Sequence, residues 1–164
     1  MLKRLKIFSC IALCILPLSI QAGGLLKKTV LPANLALKIL AASIAQAKTM
    51  NLNVSISVLD DSGNTKAFIR MDDSPTGSIE ISGLKASTSA NLKLSSRIIA
   101  KKNAQNPNHS YNHFPFVITL AGGLPIRTKN GEHLGGIGVS GASSDQDEVI
   151  AQAGLDSIQH ELQK

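Results

Sequence analysis

Apolar and polar positions follow two periods along the chain, one typical of helices and one typical of strands. Helix-forming residues dominate 34–50, where apolar side chains recur three or four positions apart on one stripe, which predicts a first helix. Segments 54–58 and 65–71 alternate apolar with polar side chains, and the turn-forming stretch 60–64 lies between them. The folded part of the chain is therefore expected to begin with a helix and a β-hairpin.

The rest of the chain adds two predicted helices and three predicted strands. Ser78 can cap a second helix that runs to about Ile99, and small side chains in its middle allow close approach to a sheet. Residues 103–116 are polar and rich in turn formers. A last helix is predicted from Ser144 to about Gln163, and short strands are predicted at 116–120, 123–128 and 134–140, the last two joined by the tight turn at 129–131. Strands joined by short turns, with helices between them, predict an α+β fold with an antiparallel sheet.

The first 22 residues have the layout of a secretory signal peptide. Three basic residues precede the apolar run 7–16, and the small residue Ala22 stands at the expected cleavage position. An uncleaved anchor is the alternative, but ten apolar residues are too few to span a bilayer comfortably. We expect cleavage after Ala22, a periplasmic or secreted product, and no membrane insertion after cleavage. Both cysteines, Cys10 and Cys14, lie in this segment, so residues 23–164 have no disulfide framework and no thiolate metal site.

Composition favours one domain, residues 23–164, and argues against a nucleic-acid partner. The chain is 43% hydrophobic and 17% charged, which is typical of a globular core. Without the first 22 residues, 14 basic residues oppose 11 acidic ones, and aromatics make up 3% of the whole chain. This mild charge and the shortage of stacking side chains make no case for binding nucleic acid. An exported compartment also lacks ATP and reduced nicotinamide, which disfavours kinase or dehydrogenase chemistry. Low net charge without disulfides favours a homo-oligomer.

The glycine run 136–141 matches the GxGxxG pattern of dinucleotide-binding loops. Its glycines, however, fall in a strand predicted to pair through the turn at 129–131. Twenty-three residues follow Gly141, whereas a βαβ unit takes about 30. Close packing of the backbone is the better interpretation of these glycines.

His109, Tyr111 and His113 are the candidate metal ligands. Residues two apart point the same way in an extended loop, and His109 and His113 would share one face of a helix. Both residue types serve as axial ligands of haem iron. The alternative is an ordinary solvent-exposed loop, since the neighbouring Asn-Pro-Asn sequence at 106–108 forms turns and no HExxH pattern is present. The other two histidines, His133 and His160, stand alone and are expected at the surface or the sheet rim.

Four short motifs occur in order along the chain: VLDDSG at 58–63, RMDDSPTGS at 70–78, GGLPI at 122–126 and GGIGVSGASSDQDE at 135–148. Together they resemble the GlcG/HbpS family, a haem-binding or haem-degrading domain that also forms the carboxy end of PduO-type corrinoid adenosyltransferases. The resemblance covers about residues 31–162. It implies a three-layer α/β/α domain with an antiparallel five-strand sheet, oligomer formation and, in some members, haem binding with slow haem breakdown or iron capture outside the cytoplasm.

One departure from the family bears on the ligand. Haem-binding relatives use a histidine near the start of the first helix, and this chain has none between Gly23 and Met50. Either a residue of 109–113 replaces it, or this member does not bind haem. Gly122 and Gly123 match positions that form the fold and the pocket in the family.

The sequence thus predicts an exported haem-binding protein, with haem degradation or iron capture as a further activity. Phe114 and Phe116 could carry the porphyrin face, and Arg70, Lys85 or Arg127 could meet its propionates. The expected haem-binding residues are His109, Tyr111, His113, Arg70, Lys85, Gly122 and Gly123, with His109 and His113 as the metal ligands. The alternative is a non-haem small-molecule binding or sensory module that acts through a partner protein.

Overall fold

The structure, a computed structural model, describes residues 28–163, so the predicted signal peptide lies outside the described residues. Four α-helices and four strands follow the order that the hydrophobic pattern predicts, with one extra helix and one strand fewer. Their bounds are α1 Ala33–Thr49, β1 Ser55–Asp60, β2 Thr65–Arg70, α2 Ser78–Leu92, α3 Ser96–Ala104, β3 Gly123–Arg127, β4 His133–Ser140 and α4 Ser144–Asp156, with short 3-10 helices at Ser110–His113 and Glu161–Gln163.

The strands form one sheet in the order β2-β1-β4-β3, and every neighbouring pair is antiparallel. Val58 in the centre of the sheet lies opposite Ala67 on one side and Ile137 on the other. Helices α1 and α4 pack together on one face, and α2 packs on the other face against β1, β3 and β4. The predicted α+β class and its three-layer arrangement are confirmed.

The expectation of a fifth strand is wrong for the described part of the chain, where the sheet has four strands. Residues 116–120 are irregular, although their composition is apolar. The Val117 N–H closes a turn on the Phe114 carbonyl, and the Ile118 N–H donates to the side-chain hydroxyl of Thr88 in α2. These backbone groups are therefore satisfied by a turn and a helix side chain, and they do not extend the sheet.

The second predicted helix is two helices. Its first part, α2, ends at Leu92 because Lys93 adopts a left-handed conformation with φ of 57°. The Ser95 side chain then accepts the Ile98 N–H and caps α3. The last helix, predicted to reach Gln163, ends at Asp156 and is followed by turns and a 3-10 segment.

The two faces of the sheet are packed differently. Between the sheet and helices α1 and α4, branched aliphatic side chains form the core, including Ile56 of β1, Ile39 of α1 and Ile150 of α4. The face toward α2 holds serine and glycine: Ser57 and Ser82 share a hydrogen bond of 3.0 Å, and a Cβ atom on Gly138 would lie 2.1 Å from the Ser82 carbonyl oxygen. The glycine run thus lets α2 approach the strand backbone closely, as its interpretation as a packing feature predicts. Among the described helices, none has the length and apolarity needed to cross a bilayer.

Candidate functional site

The expected site residues occupy three separate places in the fold. His109, Tyr111 and His113 lie on the connection after α3, which packs against β3 at one side of the sheet. Lys85, Gly122 and Gly123 meet beneath α2. Arg70 ends β2 at the opposite edge of the sheet. The structure therefore brings together the members of each group, but not the three groups.

Asn103, near the end of α3, organises the connection that carries the histidines. Its side chain is buried, accepts the Tyr111 N–H at 3.2 Å through Oδ1 and donates to Asn112 Oδ1 at 3.0 Å through Nδ2. Its backbone carbonyl oxygen lies 3.0 Å from Nδ1 of His109. Sequence reasoning missed Asn103; its position where a helix meets an Asn-rich loop is a weak signal, because asparagine also forms ordinary turns there.

The same connection presents ligand-type and aromatic side chains to solvent. His109 and His113 are exposed and Tyr111 is half-buried. Phe114 and Phe116 are 47% and 38% exposed, and their ring centroids lie 5.8 Å apart at an interplanar angle of 44°. Exposed imidazoles and exposed aromatic rings on one short segment offer a ligand for a metal and an apolar surface for a flat molecule.

Lys85 is 2% exposed and is paired inside the protein. Its Nζ donates to Asp147 Oδ2 at 2.7 Å and to the Val139 carbonyl at 2.9 Å. A Cβ atom on Gly122 would lie 2.9 Å from Nζ, and one on Gly123 would lie 2.3 Å from the Lys85 carbonyl oxygen. The two glycines thus leave room for α2 and its ion pair, and a haem propionate would reach Lys85 only if that pair opened.

Burial raises the pKa of the Asp147 carboxyl, and this effect is opposed by its hydrogen bond from Lys85, by the charge of Lys85 and by the Ala142 N–H. Neither charge has access to water in the core, so each depends on the other as its counter-ion and the ion pair is expected to stay closed. The Lys85–Asp147 pair therefore ties α2 to the start of α4, which is a structural role.

The two arginines considered for propionate binding are engaged elsewhere. Arg70 donates to the Ser74 carbonyl at 2.8 Å and lines a cavity of about 320 Å³ between α1 and β2, together with Lys48 and the apolar Ile69. Arg127 donates to the carbonyls of Lys93 and Gly131. The cations exposed nearest in sequence to the histidine segment are Lys101 and Lys102, in the last turn of α3.

The donor set on this connection fits haem better than a bare metal ion. No group of three or more His, Cys, Asp or Glu side chains suited to a metal occurs in the part of the chain that the structure describes. Haem iron already has four porphyrin nitrogens and takes one or two axial ligands from the protein. Either exposed imidazole of this segment, His109 or His113, meets that requirement. His133, by contrast, is tied through Nε2 to the Ala90 carbonyl at 2.7 Å, and burial lowers its pKa, as do the charges of Arg127 and Lys93.

Comparison with known proteins finds one family and consistent structural neighbours. Residues 31–156 match the family model described as haem degrading protein HbpS-like. The chain is 33% identical over 113 residues to protein GlcG of Escherichia coli K12, which covers 69% of this chain and 83% of GlcG.

Two solved structures share the fold. A double mutant of HbpS from Streptomyces reticuli is 33% identical, with a TM-score of 0.76 and coverage of 86% of this chain and 95% of that one. The PduOC:heme complex is 26% identical, with a TM-score of 0.71 and coverage of 79% and 96%. The resemblance seen in the sequence motifs is confirmed, and this chain belongs to the HbpS-like family.

Proposed function

We propose that this protein binds haem on the connection at 109–116. The observation that carries the proposal is the exposure, on one short segment, of two imidazoles and two neighbouring aromatic rings. Membership of a family described as haem degrading, and a structural neighbour solved as a haem complex, support it. The missing histidine at the start of the first helix is compensated in this proposal by a ligand from 109–113.

Each part of the segment has a distinct task. An imidazole nitrogen coordinates the iron, and Phe114 and Phe116 cover part of one porphyrin face, which removes their exposed apolar surface from water. Lys101 and Lys102, exposed in the last turn of α3, would be the cations available to the haem propionates. Bound haem would supply a redox-active iron; the chain supplies the ligand, the apolar contact and the charge.

Three further properties belong to the same proposal. The family description supports slow haem degradation, which would release iron for capture, and the low net charge of a chain without cysteines after residue 22 supports a homo-oligomer. Export is supported by the signal-peptide layout of residues 1–22. Amino-terminal sequencing of protein from the cell envelope tests export: a product that begins at Gly23 supports it, and an intact Met1 on a cytoplasmic protein refutes it. A monomeric mass by light scattering at micromolar concentration would refute assembly.

Haem titration of the purified protein tests the binding site. We expect a shifted Soret band on the unmodified protein, and a shifted band position with weakened affinity when His109 and His113 are both replaced by alanine. Each single variant shows which imidazole carries the effect. His160→Ala, a histidine variant outside this segment, is the matched control and is expected to leave the spectrum and affinity unchanged. Unchanged titrations of the double variant would refute the proposed site.

The cavity beside Arg70 favours the second candidate, a non-haem small-molecule module that acts through a partner protein. Its lining combines apolar side chains with two cations, Lys48 and Arg70, and two carboxylates, Asp72 and Asp73, which suits a small molecule with an apolar body and a charged group. Benzoate is a simple probe of this chemistry. Resonance shifts of Ile69 and Met71 that saturate with benzoate and disappear in Arg70→Met would support this candidate. No shift at millimolar benzoate would count against it.

A further inference from the structure

Asn103 contacts the loop of the proposed site at three points, two through its side-chain amide and one through its backbone carbonyl. We infer that Asn103 is a positioning residue that presents Nε2 of His109 as the iron ligand. That the bound metal is haem iron rests on the proposed function. The orientation of the imidazole rests on the hydrogen bond between His109 and the Asn103 carbonyl.

The hydrogen bond between His109 and Asn103 decides the tautomer of the imidazole. A backbone carbonyl can only accept a hydrogen bond, so the His109 nitrogen at 3.0 Å from it, Nδ1, must carry the proton. In a neutral imidazole the other nitrogen, Nε2, then has a free lone pair. Metal-binding histidines are commonly held in this way, with one ring N–H donated to a carbonyl while the other nitrogen binds the metal.

The backbone of His109 needs this support. It adopts φ and ψ of 45°, a left-handed conformation that residues other than glycine take up at a cost in free energy. The Asn103 side chain, 6% exposed, holds the chain just beyond it through the Tyr111 N–H and the Asn112 side chain. One residue thus holds the imidazole through its carbonyl and the chain that follows the imidazole through its side-chain amide.

The same geometry separates His109 from the other two candidate ligands. Tyr111 is held through its backbone N–H. Among the hydrogen bonds of residues 28–163, none orients its phenol group. Within that range, no hydrogen bond orients the imidazole of His113 either. His109 is therefore the pre-oriented ligand, and His113 is at most a second one.

The first test uses haem-free protein and the nitrogen resonances of its imidazoles. We expect ¹⁵N spectra of the unmodified protein to show His109 predominantly as the Nδ1–H tautomer. Asn103→Ala keeps the backbone carbonyl but loses the side-chain bonds to Tyr111 and Asn112, so the loop is released and a mixture of tautomers is expected. Asn106→Ala is the matched control: it removes the side-chain bonds of another asparagine of the same connection, to Ser110 and to the Asn108 N–H, and it keeps the backbone carbonyl that accepts the His109 N–H. An unchanged His109 tautomer in Asn103→Ala would overturn the positioning role.

The second test is a double-mutant cycle in haem affinity. Asn103→Ala should weaken haem binding by about 10-fold or more in the unmodified background, the usual loss for a group that orients a ligand. It should have no further effect in His109→Ala, because it acts through that imidazole. Asn103→Asp, which keeps the acceptor for Tyr111 and loses the donor to Asn112, should lie between.

The outcomes separate the two proposals. Equal losses from Asn103→Ala in both backgrounds would show that Asn103 acts on the fold and not through His109. Unmodified protein that binds no haem would refute the proposed function and the iron-ligand assignment together. In that case the tautomer measurement would still decide whether Asn103 orients His109. Far-ultraviolet circular dichroism of each variant shows whether it has kept its fold.

Discussion

Removing one member of the buried Lys85–Asp147 pair is expected to destabilise the fold strongly, because the other charge would stay buried without a partner. Both side chains are 2% exposed, and Nζ lies 2.7 Å from Oδ2. Replacing Asp147 by asparagine keeps the shape of the side chain and removes its charge, so that the buried ammonium of Lys85 loses its counter-ion. Breaking a buried pair from one side typically costs about 3–5 kcal/mol in the free energy of unfolding. For a domain of this size, that lowers the melting temperature by about 10 °C.

Thermal and urea unfolding followed by circular dichroism measures the effect. Glu161→Gln is the matched control because it also removes a carboxylate from a lysine pair, with Lys38, but there the side chains are 48% and 39% exposed. Solvent screens such an exposed pair, so the melting temperature of Glu161→Gln should equal that of the unmodified protein within error. The double replacement Lys85→Met with Asp147→Leu removes both charges and should be less destabilising than either single loss.

The pH dependence of Lys85→Met gives a second reading of the same pair. Burial raises the pKa of Asp147, and without Lys85 that effect is unopposed by a counter-ion. As pH falls toward the value of an unfolded carboxyl, about 3.9, the folded variant takes up a proton before the unfolded chain does, so its stability relative to the unmodified protein should recover. The reasoning would be refuted if Asp147→Asn were no more destabilising than Glu161→Gln, or if the double replacement cost the sum of the single ones.

Two further predictions concern the α2 face of the sheet and its rim. Gly138→Ala should lower the free energy of unfolding by about 3 kcal/mol, because the added Cβ would meet the backbone of Ser82. Gly83→Ala is the control: residue 83 lies in α2 with open space around it, so alanine should raise the free energy of unfolding by about 0.5–1 kcal/mol. Equal urea midpoints of the two variants would contradict this. Burial lowers the pKa of His133, and so do the two neighbouring cations Arg127 and Lys93. The unfolded chain therefore binds a proton more readily than the folded one, and stability should fall as pH drops below about 6.5. An identical fall in His133→Gln would assign this pH dependence to other groups.

The elements encoded by local patterns could be predicted from the sequence. The first helix, the hairpin, the strand pair around the turn at 129–131 and the start of the last helix occur within about two residues of their predicted positions. Each depends on contacts between residues near one another in the chain: helical spacing, strand alternation, a tight turn, and a capping serine, Ser143, one residue before the Ser144 that the sequence suggested. The four ordered motifs also identified the family, since together they sample most of the folded chain.

The remaining features depend on which distant groups satisfy a given backbone or side chain. Composition cannot show that Thr88 captures the Ile118 N–H and leaves the apolar segment 116–120 outside the sheet. Nor can it show that Lys85, by type a surface residue, is buried because Asp147 lies 62 positions further along the chain. The candidate ligands at 109–113 were visible as residue types, but their support by Asn103 was not. Side-chain chemistry is local, whereas burial and hydrogen-bond partners are set by the packed chain, and for this protein they decide that His109 is the imidazole of 109–113 held by a backbone carbonyl.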